Sequence, residues 1–150
     1  MRTYLRVGAI IFYKDKLVTT RMRKGESVYY VLPGGGVEDN ETIHEALKRE
    51  VKEELNLEIV KSKLVYIREL NIKDKGRGME LYFYIEEYNG VPTKGFDPET
   101  KDALLEGIDF LDLDELNILV FHPKQLVNFL KGDKETNFNE IRHLGLHDYP

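Results

Sequence analysis

Residues 35–57 read GGVEDNETIHEALKREVKEELNL. Within them Ile43, Ala46, Leu47, Val51 and Leu55 recur at the spacing of one helical face. Thr42, with Glu45 three positions on, fits a capping box, and Asn56 is a residue that takes the left-handed conformation that stops a helix. The spacing therefore predicts a helix from Thr42 to Leu55. It sets Glu50, Glu53 and Glu54 three and four residues apart, so that like charges become neighbours.

At about 100° per residue, Glu54 falls between Ile43 and Leu47 inside the apolar stripe, with Glu50 and Glu53 along its edge. A carboxylate taken from water without a partner loses its charge or costs several kcal/mol, and neighbouring carboxylates also repel. Lys48 and Lys52 project to the opposite side of the wheel and Arg49 lies at the flank, so the helix is not expected to supply the neutralising charge. Clustered carboxylate oxygens are hard ligands suited to Mg²⁺ or Mn²⁺, and Mg²⁺ reaches for substrate phosphates. A Glu- and Lys-rich helix is ordinarily a solvated face. Here Pro33 and the loop Gly34-Gly35-Gly36 lead directly into it and let backbone approach a ligand closely.

Upstream, TYLRVGAIIFY (3–13) reads as a strand, Lys14-Asp15-Lys16 as a turn, LVTTRMR as its hairpin partner and SVYYVL as a further strand. Downstream, KLVYIRELNI and MELYFYIEEY read as a hairpin turning over Lys73 to Gly78. Asn89 to Leu104 reads as a loop, GIDFLDL as a short strand, His122 to Lys131 as a second helix, and the tail from Gly132 as weakly patterned. Strands around two separated helices imply a mixed sheet covered on both faces, α+β or α/β in class and of sandwich type.

The 150 residues, 41% hydrophobic and 33% charged, suit one domain spanning 1–150. The chain has no cysteine, which excludes disulfides and thiolate metal sites and makes a cytoplasmic location the default. No stretch approaches a membrane span or a cleaved leader. The net charge of −5 argues against nucleic acid as a partner, while leaving room for a local grip on a small anion.

The segment 35–57 resembles the Nudix box, G-x5-E-x7-R-E-U-x-E-E-x-G-U with U a bulky aliphatic residue. Gly35, Glu41, Arg49, Glu50, Val51, Glu53, Glu54 and Leu57 fall in register, and Asn56 replaces the usual glycine as the next-best left-handed residue. The resemblance implies a Nudix fold, an α/β/α sandwich with a mixed β-sheet between helices. It implies a hydrolase, MutT-like, acting on acid anhydrides in phosphorus compounds: a pyrophosphatase cutting a nucleoside diphosphate linked to another moiety by metal-activated water. Glu50, Glu53 and Glu54, with the Gly34 carbonyl, would be the metal ligands; Glu53 or Glu50 would accept the proton of water, although Glu86, Glu87, Glu99 and Glu106 are conceivable bases from later segments. Arg49 would orient the acids and Glu41 would pair with it. Nucleoside triphosphates, ADP-ribose and nucleotide sugars are substrates of the family, and homodimers are common in it.

Arg21 and Arg23 alternate along one strand, on one side, and either clamp phosphate oxygens together with Gly35 and Gly36 or are solvated edge charges. Tyr29 or Tyr30 offers a ring for a base, while the other points into the core. His143 and His147 have a helical i, i+4 spacing, interrupted by Gly145, and are read as coincidence. The competing reading is a binding or regulatory module that senses a nucleotide derivative without cutting it; such a module is expected to lose box glutamates, and none is lost here.

Overall fold

The computed structural model describes residues 4–95 and 104–149. Its strands are β1 (Tyr4–Ile10), β2 (Phe12–Tyr13), β3 (Lys16–Lys24), β4 (Ser27–Val31), β5 (Gly34–Gly36), β6 (Glu58–Ile72), β7 (Gly76–Asn89), β8 (Leu104–Leu111), β9 (Phe121–His122) and β10 (Arg142–Tyr149). Two α-helices, α1 (Ile43–Leu55) and α2 (Val127–Glu135), accompany them. One mixed sheet has the order β10-β6-β7-β1-β5, with β1–β7 and β10–β6 parallel; a second has the order β2-β3-β4-β9, with β8 paired to β3. The class is α+β, as expected, with a second sheet beside the mixed one.

Alternation along the strands builds two cores. Val7, Ala9, Leu81, Phe83 and Ile85 pack under Ala46, Leu47, Val51 and Leu55 of α1. Ile10, Tyr66 and Tyr82 lie in the other cluster with Leu32, Phe121, Leu126 and Leu130. None of the described helices is long and apolar enough to cross a membrane.

Several boundaries differ from the sequence reading. The run 3–13 is not one arm of a hairpin: it breaks at the fully buried Ile11, and β1 joins the first sheet while β2 alone folds back on β3. Lys14 and Asp15 make that turn, both at positive φ. The glycines 34–36 form a three-residue strand paired antiparallel to β1 rather than an open loop. The turn between β6 and β7 is shorter than expected, 73–75. The second helix starts at Val127, after a 3-10 turn over Lys124–Leu126, and runs to Glu135. The tail is not patternless: β10 pairs parallel to β6 through a register shift between His143 and Leu146, around Gly145 at φ +87°.

Candidate active site

The cap signals hold. The Thr42 hydroxyl accepts the Glu45 amide at 3.1 Å, the Thr42 amide donates to Glu45 Oε1 at 3.3 Å, and Asn56 sits at φ 58°, ψ 34°. Between these ends α1 aims its acids at β5. Glu50 is 1% exposed and Glu54 3% exposed, so Glu50 lies inside the stripe rather than at its edge, and Glu53 is half-buried. The backbone amide of Gly34 donates to Glu54 Oε2 at 2.8 Å. A Cβ on Gly35 would come within 2.4 Å of Glu50 Oε1, so at that position glycine is a packing requirement of the carboxylate.

Arg49 corrects the expectation that the helix supplies no neutralising charge. A helical wheel places Cβ atoms, whereas the long arginine side chain swings its guanidinium over the acids. Arg49 Nε and Nη2 donate to the two Glu41 oxygens at 2.7 and 3.0 Å, Nη1 to Glu50 Oε1 at 2.9 Å and Glu53 Oε2 at 3.4 Å, and Nη2 to the Gly36 carbonyl at 3.1 Å. The hydrogen bond from Arg49 holds the Glu41 carboxyl below its usual range, and the same bonds hold Arg49 firmly protonated. Three hard carboxylates on one helix, two of them out of water, suit a divalent cation. Among the described residues no three acids or histidines yet converge as a formed cage, and Arg49 Nη1 stands between Glu50 and Glu53.

Arg21 and Arg23 are not edge charges, because β3 lies between β4 and β8. Arg21 donates to Glu106 and to both oxygens of Asp109, at 2.7 and 2.8 Å, and Arg23 donates to Glu106 at 2.6 Å. Glu106 is thereby an ion-pair partner, its pKa lowered first by the hydrogen bond from Arg23. Glu86 pairs with Lys61 at 3.6 Å, Glu87 is exposed on β7, and Glu99 lies outside the described residues. Tyr30 packs against the second core while Tyr29 meets His122 edge-on at 5.9 Å between ring centroids. His143 and His147 stand on a strand and have separate partners: Glu69 at 3.3 Å for the first, the Leu144 carbonyl and Gln125 for the second.

One polar group escaped the sequence reading. Arg6, Glu80 and Arg68 face one another across β1, β7 and β6. Glu80 Oε1 accepts Arg68 Nη2 at 2.6 Å and the Tyr82 hydroxyl, and Oε2 accepts Arg6 Nε at 3.2 Å. Their signal was phase: Arg68 and Glu80 each stand two residues from a buried tyrosine, Tyr66 and Tyr82, on the same face of the strand, so charges occupy core-facing positions.

A family model described as NUDIX domain matches residues 2–131. An 8-oxo-dGTP diphosphatase of Buchnera aphidicola subsp. Schizaphis graminum is 29% identical over 128 residues, 83% of this chain and 95% of that protein. An ADP-ribose pyrophosphatase of Methanocaldococcus jannaschii is 32% identical over 125 residues, 81% of this chain and 70% of that protein. Among solved structures, a MutT NUDIX hydrolase from Burkholderia pseudomallei superposes with a TM-score of 0.66 at 22% identity, covering 85% of this chain and 96% of that one. A MutT protein from Bacillus halodurans has a TM-score of 0.66 at 23% identity, covering 97% and 90%.

Proposed function

The chain belongs to the Nudix family of hydrolases, and from that premise we propose that it is a divalent-cation-dependent pyrophosphohydrolase, cleaving a phosphoanhydride bond in a nucleoside diphosphate linked to another moiety. The observation that carries this reading is the burial of Glu50 and Glu54 against the glycine strand β5, with Glu54 bonded to the Gly34 amide. Arg49 is one positive charge against the carboxylates of Glu41, Glu50 and Glu53, so the site keeps a net negative charge that a divalent cation would offset.

Glu50, Glu53 and Glu54, with the Gly34 carbonyl, would hold Mg²⁺ or Mn²⁺, which when bound supplies charge neutralisation at the diphosphate and a water of lowered pKa. Glu53 or Glu50 accepts the proton of the attacking water. Arg49 is a positioning residue: its bonds to Glu41 and the Gly36 carbonyl anchor the guanidinium that orients Glu50 and Glu53. Gly35 and Gly36 let a diphosphate approach the backbone. Arg21 and Arg23, held by Glu106 and Asp109 in a group of no net charge on the second sheet, would meet phosphate oxygens only with the N–H donors those acids leave. A screen of nucleoside triphosphates, ADP-ribose and nucleotide sugars with Mg²⁺, Mn²⁺ and chelator tests the reading. Cation-dependent turnover of at least one compound is expected. Tight nucleotide binding without turnover across the panel would replace the enzyme with a sensor module.

A further inference from the structure

Strand β5 forms one edge of the first sheet and carries no side chain. Its two faces are chemically unlike. The Cβ direction of Gly35 leads into the Glu50 carboxylate, whereas that of Gly36, on the opposite face, meets nothing within 4 Å. On that second face Gly36 lies opposite Arg6, Arg6 opposite Glu80, and Glu80 opposite Arg68 in successive strand registers.

The row holds two guanidinium groups and one carboxylate, and both carboxylate oxygens are taken. Arg68 Nε is buried without a hydrogen-bond partner. Arg6, whose side chain is 35% exposed, meets a carboxylate among the described residues only through Nε, and its guanidinium carbon lies 5.4 Å from the centroid of the Tyr149 ring. Glu80, itself fixed by Arg68 and Tyr82, therefore holds Arg6 as an oriented donor fork. The His122 ring, within electrostatic reach of Arg68, and the Tyr29 ring edge-on to it add flat surface beside the row; burial, with Lys124 and Arg68 nearby, lowers the His122 pKa.

We propose that the substrate straddles β5, its phosphates on the Glu50 face and its nucleobase on the Arg6 face, and that Arg6 selects a 6-keto purine over adenine. The inference rests on the pyrophosphohydrolase reading and names its substrate class. Arginine only donates. The O6 and N7 atoms of guanine or hypoxanthine both accept and match a guanidinium fork, whereas the 6-amino group of adenine turns a donor towards it. Both guanidinium groups of the row supply donors only, so Arg6 turned towards that amino group carries a penalty.

The test is calorimetric titration of the protein with GMP, IMP and AMP, which contain no anhydride and cannot be turned over. GMP and IMP are expected to bind about tenfold or more tightly than AMP. Arg6→Leu and Arg6→Gln are expected to erase the preference, the glutamine variant because its amide both donates and accepts and so serves either purine, with a thermal melt showing that each variant is folded. Equal or tighter binding of AMP by the wild type, no binding of any of the three, or a preference that survives in a folded Arg6 variant would overturn the proposal. Turnover of ATP and GTP is read separately: equal hydrolysis of both leaves the enzyme standing without the selection, and a 6-keto preference in binding without any turnover leaves the subsite standing without the enzyme.

Discussion

The Gly34 backbone amide donates to Glu54 Oε2 at 2.8 Å, joining the glycine strand to the acidic helix through the helix's most C-terminal acid. Glu54→Gln keeps an oxygen for that amide and removes the charge. Thermal unfolding should then change by less than about 1 kcal/mol, while turnover falls roughly 10²-fold or more. A large loss of stability with activity retained would make Glu54 a purely structural acid.

Gly35→Ala should show the converse packing effect. Its Cβ would stand 2.4 Å from Glu50 Oε1, and Glu50 must move or the strand must part from α1. Activity is expected to drop roughly 10²-fold, the scale on which a misplacement of about 1 Å acts. Gly36→Ala, facing open space, should remain folded and unchanged in melting temperature.

Glu41 gives a pH signature. Its folded pKa is lowered below the ordinary 4.5, first by the hydrogen bond from Arg49. A depressed carboxylate contributes stability that is present above its unfolded pKa and is lost as pH falls through the folded value. The gap in urea midpoint between wild type and Glu41→Gln should be constant at neutral pH and should close on acidification below about 4.5. A gap independent of pH would contradict the pairing.

Asp133 fastens the tail. It accepts the Tyr66 hydroxyl at 2.5 Å and two Arg142 nitrogens at 2.8 Å each, tying α2 to β6 and β10. Asp133→Ala leaves the buried Tyr66 hydroxyl without that partner, while Arg142 keeps Glu140, and should cost about 1–3 kcal/mol. A loss under about 1 kcal/mol in denaturant titration would show that β10 docks without this clasp.

Much of this fold was legible because its signals are local. The helical period and caps of α1 depend on residues within four positions of one another, and Asn56 took the left-handed stop its type permits. Its side chain does more, since Nδ2 donates to the Thr93 hydroxyl at 3.0 Å and tethers the segment after β7. Non-local features were hidden. The break at Ile11 lies within an unbroken apolar run, and only the parallel pairing of β1 with β7 reveals it. The bulge at Gly145 disrupts the alternation that would have announced β10. The Arg6–Glu80–Arg68 row exists only once three strands are in register, and the guanidinium fan of Arg49 depends on side-chain reach that a wheel does not represent.

The most direct test of the central claim is the turnover number of the best-hydrolysed substrate for wild type and Glu53→Gln, each with Mg²⁺ and with chelator. Glu53 is half-buried, so the variant should fold. Wild-type activity is expected to vanish with chelator, and the variant in Mg²⁺ to be slower by roughly 10²- to 10⁴-fold. Turnover that survives both the chelator and the substitution would contradict the assignment of the α1 carboxylates to cation-dependent phosphoanhydride hydrolysis.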